Sequence, residues 1–169
     1  MNRSNIHLPF LFFVFLLLQV WVFQRITLFD TAFCFFYIGF ILFLPIELSP
    51  VILLLLGFCL GFTVDLFQNS GAIHAAATVL LAFVRNKWIN VLTPPGGYQA
   101  DVRNTYANLG FSWLMTYLIP LIALHSVTLF FIEAGGFYLA GLSLLKAFFS
   151  AIFTTTIILL YHFIFQGNR

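Results

Sequence analysis

Asp65, Ser70 and His74 put a carboxylate, a hydroxyl and an imidazole within ten residues of one another. Those are the parts of a nucleophilic relay, in which a carboxylate orients an imidazole that takes the proton of a serine. The same residues also suit a purely structural use, in which Asp65 caps a turn and His74 begins a helix. The sequence around them lacks the strand-to-helix elbow and the oxyanion segment that a serine nucleophile requires. Three other uses stay open for Asp65 and His74: a direct hydrogen bond or ion pair, a docking surface at a hairpin end, and a proton relay or metal site. Lys146, Ser150 and Thr154 form a second polar stripe at i, i+4 and i+8. It admits two readings: Lys146 faces the bundle interior, where Asp65 or Glu133 neutralises it, or it snorkels toward the membrane surface. His125 and His162 have no second ligand at metal-binding spacing and read as packing or interfacial residues. No GxxxxGK, HExxH or CxxC is present, and Cys34 and Cys59 lie in apolar stretches. No catalytic, cofactor-binding or metal site is expected, and the chain is not expected to be an enzyme.

The elements that must position these groups follow from composition. Of 169 residues, 62% are hydrophobic and 7% charged, and mean hydropathy is +1.06, far outside the range of soluble domains. A formal charge of +2, dispersed along the chain, gives no footprint for nucleic acid. About 20 helical residues cross the roughly 30 Å hydrocarbon core. The expected fold is therefore an all-α integral membrane protein: one domain, 1–169, with six spans. They are placed at about 8–24, 33–48, 50–67, 72–92, 106–131 and 137–165, separated by turn-forming groups such as Gln68–Gly71, Thr93–Gly97 and Glu133–Gly136. With the N-terminus inside, Arg3, Arg85, Lys87, Arg103 and Arg169 are cytoplasmic and Arg25 is outside. That bias places both termini in the cytoplasm. Arg85, Lys87 and Arg103 then form a cytoplasmic basic loop, with Arg85 and Lys87 snorkelling to meet anionic lipid or cytoplasmic partners.

Gly57, Gly61 and Asp65 recur every four residues and share one face of the third span. His74, Thr78 and Ala82 form a matching stripe on the fourth. Two glycines at that spacing let helix backbones approach closely, so spans three and four are expected to form a tight hairpin. Gln19 and Gln24 are candidates for interhelical hydrogen bonds, and Thr154–Thr156 for bonds to local carbonyls.

The stretch from Leu55 to Arg85, LLGFCLGFTVDLFQNSGAIHAAATVLLAFVR, resembles the MreD family of bacterial rod-shape-determining membrane proteins, in the form found in the Bacteroidota. The matching positions are Gly57, Gly61, Asp65, Gly71, His74, Ala75 and Ala76. Ala72 stands where many family members carry Pro. The resemblance implies a non-enzymatic protein of the cytoplasmic membrane, partnered by MreC in the complex with MreB, RodA and a class B penicillin-binding protein. It also implies a fold similar to the substrate-capture subunits of energy-coupling-factor transporters. Structural or docking roles would then fall on Gly57, Gly61, Asp65, Gly71, His74, Thr78 and Lys146. A second reading, a capture subunit for a vitamin-like molecule, would need Asp65, His74 and Lys146 around an outward cavity.

Overall fold

A computed structural model describes residues 4–94, 96–98 and 109–165. The chain runs through α1 (Ser4–Trp21), a 3-10 turn (Phe23–Arg25), a small hairpin of β1 (Thr27–Leu28) and β2 (Ala32–Phe33), and a short α2 (Ile38–Leu42). Four long helices follow: α3 (Pro50–Gln68), α4 (Ile73–Val91), α5 (Phe111–Glu133) and α6 (Ala140–Phe165). Pro50 opens α3 at a position where its missing N–H is not needed, and Asn69 ends it in the left-handed conformation. Four segments are long and apolar enough to cross a membrane: 8–25, 50–68, 111–133 and 140–165. Helix α4 matches α3 in length, but Arg85, Asn86 and Lys87 dilute its apolar character. Lipid-suited residues such as Phe10, Leu55, Phe83 and Phe148 point outward from the bundle.

The expected second span, 33–48, differs in kind from the others. Only Ile38–Leu42 is α-helical, and the residues on either side are irregular. Yet this segment is the centre of the molecule: Cys34 through Leu42 and Leu44 are all buried. It enters beside Phe130, near the end of α5, and leaves at Arg85, about 18 Å along α4 at 1.5 Å per residue. Irregular backbone at membrane depth is tolerated when protein supplies the hydrogen bonds that a helix would otherwise make for itself.

Here side chains of the surrounding helices do so. Gln19 of α1 donates from Nε2 to the Cys34 carbonyl at 3.0 Å and accepts from the Tyr37 N–H at 3.1 Å. Ser150 and Thr154 of α6 accept from the N–H groups of Phe33 (2.9 Å) and Phe35 (3.0 Å). Tyr117 of α5 donates to the Leu42 carbonyl at 2.8 Å, and Arg85 of α4 donates to that of Leu44. Thr154 thus serves another segment rather than its own helix, whereas Thr156 does bond its local carbonyl, Ile152, at 2.9 Å. Gln19→Leu strands two backbone groups in an apolar interior at about 1–3 kcal/mol each. Its melting temperature in detergent is expected to fall by several degrees, while Gln24→Leu, on an exposed side chain, stays within about 0.5 kcal/mol of wild type.

Candidate functional site

The junction of α3 and α4 brings the predicted residues together. Gly61 is the reason the helices come so close: a Cβ built there would lie 2.6 Å from the Ala75 Cα and 2.7 Å from the His74 carbonyl oxygen. At Gly57 the approach is looser, with the nearest atom, the Ala82 Cβ, at 3.3 Å. One turn beyond Gly61 on the same face, Asp65 meets the start of α4. Its Oδ1 accepts from the His74 N–H (2.9 Å), from His74 Nδ1 (2.9 Å) and from the Ser70 hydroxyl (2.5 Å). Its Oδ2 accepts from the Ala75 N–H at 2.8 Å. A carboxylate at the end of one helix therefore caps the beginning of the next, where the helix dipole favours negative charge. The expected direct bond between Asp65 and His74 is present; Asp65 holds the turn through Ser70 and, beyond that expectation, caps the first N–H groups of α4.

The turn between them uses left-handed backbone at Asn69 (φ 53°), Gly71 (φ 66°) and Ala72 (φ 68°). Gly71 is exposed, with open space around it, so its role there is conformational. Proline, locked near φ −65°, could not replace Ala72 in this turn.

Ser70, His74 and Asp65 do not form a relay. In a serine triad the carboxylate and the serine address opposite imidazole nitrogens. Here Ser70 Oγ (3.1 Å) and Asp65 Oδ1 (2.9 Å) both lie on His74 Nδ1, and the serine donates its proton to the carboxylate. The hydroxyl proton is therefore directed at Asp65 and not at an imidazole nitrogen, as a triad would require.

A second polar layer continues inward. The Thr78 hydroxyl donates to the His74 carbonyl at 2.7 Å, and Tyr37 Oη lies 3.1 Å from Thr78 Oγ1 and 2.8 Å from His125 Nε2. Thr78 has one proton and spends it on the carbonyl, so Tyr37 donates to Thr78 and His125 donates from Nε2 to Tyr37. That leaves His125 Nδ1 as an acceptor, and it has no hydrogen-bond partner among the described residues. His125 is thus a packing histidine, tied to the irregular segment through Tyr37. Tyr37 and Tyr117, two anchors of that segment, went unmarked in the sequence because a hydroxyl at the tip of an aromatic ring looks like any other apolar bulk.

The chain matches no family model, no curated protein and no solved structure.

Among the expected basic-loop residues, Arg85 is corrected outright. It does not snorkel but is fully buried, donating from Nε to Tyr117 Oη at 2.9 Å and from Nη2 to the Leu44 carbonyl. The planar guanidinium joins α4, α5 and the irregular segment at one point, and those acceptors hold it inside. Lys87 is exposed, 4.3 Å over the Phe83 ring, and Arg103 lies outside the described residues. Lys146 satisfies neither reading completely. It is half-buried, with Nζ 5.9 Å from the Phe33 ring centre and 5.7 Å from that of Phe130. Among the described residues no carboxylate lies within 4 Å of the Lys146 ammonium, so neither Asp65 nor Glu133 neutralises it by contact.

Two hollows accompany these clusters. One, about 530 Å³, lies between α5 and α6 and is apolar, lined by Ile119, Ala123, Ala147 and Ala151 among others. The second, about 230 Å³, lies at the α5–α6 turn and carries Glu133, Ser143 and Lys146. Among the described residues, no group of three or more His, Cys, Asp or Glu side chains is arranged to hold a metal ion.

Proposed function

We propose that this chain is a non-enzymatic, multi-pass subunit of the bacterial cytoplasmic membrane, acting as a scaffold of MreD type. In this reading it has six crossings with both termini cytoplasmic. It holds MreC in the complex that directs lateral peptidoglycan synthesis with MreB, RodA and a class B penicillin-binding protein. One observation carries the reading. The residues behind the resemblance are those that build the α3–α4 junction: Gly61 sets the close approach, and Asp65 caps α4 through His74 and Ala75. A motif spent on architecture suits a protein that positions others.

The substrate-capture reading needs Asp65, His74 and Lys146 to converge on one cavity. Asp65 and His74 instead bond to each other and to the start of α4, while Lys146 faces Phe33 and Phe130. The scaffold reading is tested by affinity purification of the tagged chain from native membranes in a gentle detergent. Co-recovery of MreC is expected, and its consistent absence while the tagged protein remains folded would count decisively against the proposal.

A further inference from the structure

The hollow at the α5–α6 turn holds opposite charges that do not touch. Glu133 is the last residue of α5, and Lys146 lies about 9 Å along α6 at 1.5 Å per residue. Both line the same space with Phe130, Leu139, Leu142 and Ser143. They do not pair with each other, as no contact of 4 Å or less joins them. The ammonium of Lys146 has aromatic faces beside it and no carboxylate, and Glu133 is exposed. The exposed aromatics Phe137 and Tyr138, 82% and 96% accessible, sit at the same turn. Tyrosine favours the headgroup level of a bilayer, so Tyr138 at this turn argues for a hollow close to that level. A volume of about 230 Å³ is below the roughly 300–1,000 Å³ typical of clefts for drug-sized ligands. It suits a small dipolar group entering with an apolar tail left outside.

We propose that this hollow binds the zwitterionic headgroup of a phospholipid bearing a primary ammonium, with the phosphate on Lys146 and the ammonium on Glu133. The lysine is a point-charge partner for phosphate, and the carboxylate accepts charge-assisted N–H bonds that a quaternary ammonium cannot donate. Phe33 connects the site to the β1–β2 hairpin, so an occupied headgroup would brace that hairpin against α6. The inference needs the chain to be embedded in lipid but is independent of MreC binding, so either proposal can fail alone.

The test is thermal unfolding of the full chain in detergent with added short-chain phosphatidylethanolamine, phosphatidylcholine or phosphatidylglycerol, or with free phosphoethanolamine. Saturable stabilisation by phosphatidylethanolamine is expected at concentrations about tenfold lower than for the other two lipids. Free phosphoethanolamine should be weaker still. Glu133→Gln should erase the preference for phosphatidylethanolamine, and Lys146→Met should remove the response to it, while Lys146→Arg retains it. Should Lys146→Met fail to fold, Glu133→Gln, on an exposed turn, still decides. Equal midpoints for the three lipids, or an undiminished preference in Glu133→Gln, would overturn the proposal. So would a free headgroup as potent as the lipid, since the ligand would then be a soluble phosphate.

Discussion

Asp65→Ala is expected to destabilise the protein by about 3 kcal/mol, the upper end of the scale for leaving buried donors without their acceptor. The substitution uncovers the N–H groups of His74 and Ala75, the His74 imidazole and the Ser70 hydroxyl together. Each is a donor directed at a carboxylate that water cannot readily replace, because Asp65 is only 4% exposed. Asp65→Asn should fall between Ala and wild type, since one amide oxygen remains while the amide nitrogen confronts donors. Asp30→Asn is the control: Asp30 is exposed and sits in left-handed backbone that Asn also tolerates, so a change within about 0.5 kcal/mol is expected. Thermal unfolding in detergent, read beside folded yield from membranes, makes the comparison. Equal melting temperatures for Asp65→Ala and Asp30→Asn would remove the special status given to Asp65.

Gly61→Ala should be comparably severe for a different reason. The added methyl would meet backbone at 2.6–2.8 Å, namely the Ala75 Cα and N and the His74 carbonyl oxygen, none of which can rotate away. Helix α4 must move bodily, at about 3 kcal/mol or somewhat more, the upper end of the range for overpacking. That displacement also draws the His74 and Ala75 N–H groups away from Asp65. The two substitutions therefore share part of their cost, and Gly61→Ala/Asp65→Ala should be less destabilised than the sum of the single variants. Gly57→Ala meets only the Ala82 Cβ at 3.3 Å and the Thr78 carbonyl oxygen at 3.4 Å, and it gains helix propensity of up to about 1 kcal/mol. It should remain near wild type. A strictly additive double variant, or Gly57→Ala as damaging as Gly61→Ala, would refute this account of the junction.

The α3–α4 junction was legible because its signals are local. Glycines four apart, an aspartate at the next turn and a histidine just past a tight bend all lie within one short stretch. Helix periodicity alone puts them on facing surfaces. The fate of Arg85 was not legible. A positive-inside count treats every arginine as seeking water, whereas this one finds acceptors on Tyr117 and Leu44, both more than thirty residues away. Lys146 was ambiguous for the same reason, as its neighbours Phe33 and Phe130 belong to other elements.

By itself, the amino-acid order determined that the chain suits a bilayer, where most of its helices fall, and that α3 and α4 join through small residues and an acid. Those properties follow from apolar length and from neighbours three or four residues apart. Only the tertiary structure decided that residues 33–44 are a largely buried segment with one short helix, Ile38–Leu42, rather than a second full helix. A run of apolar residues satisfies the hydrophobic requirement in either form. The choice rests on whether backbone N–H and carbonyl groups find partners, and those partners, Gln19, Arg85, Tyr117, Ser150 and Thr154, come together only when the distant helices close around the segment.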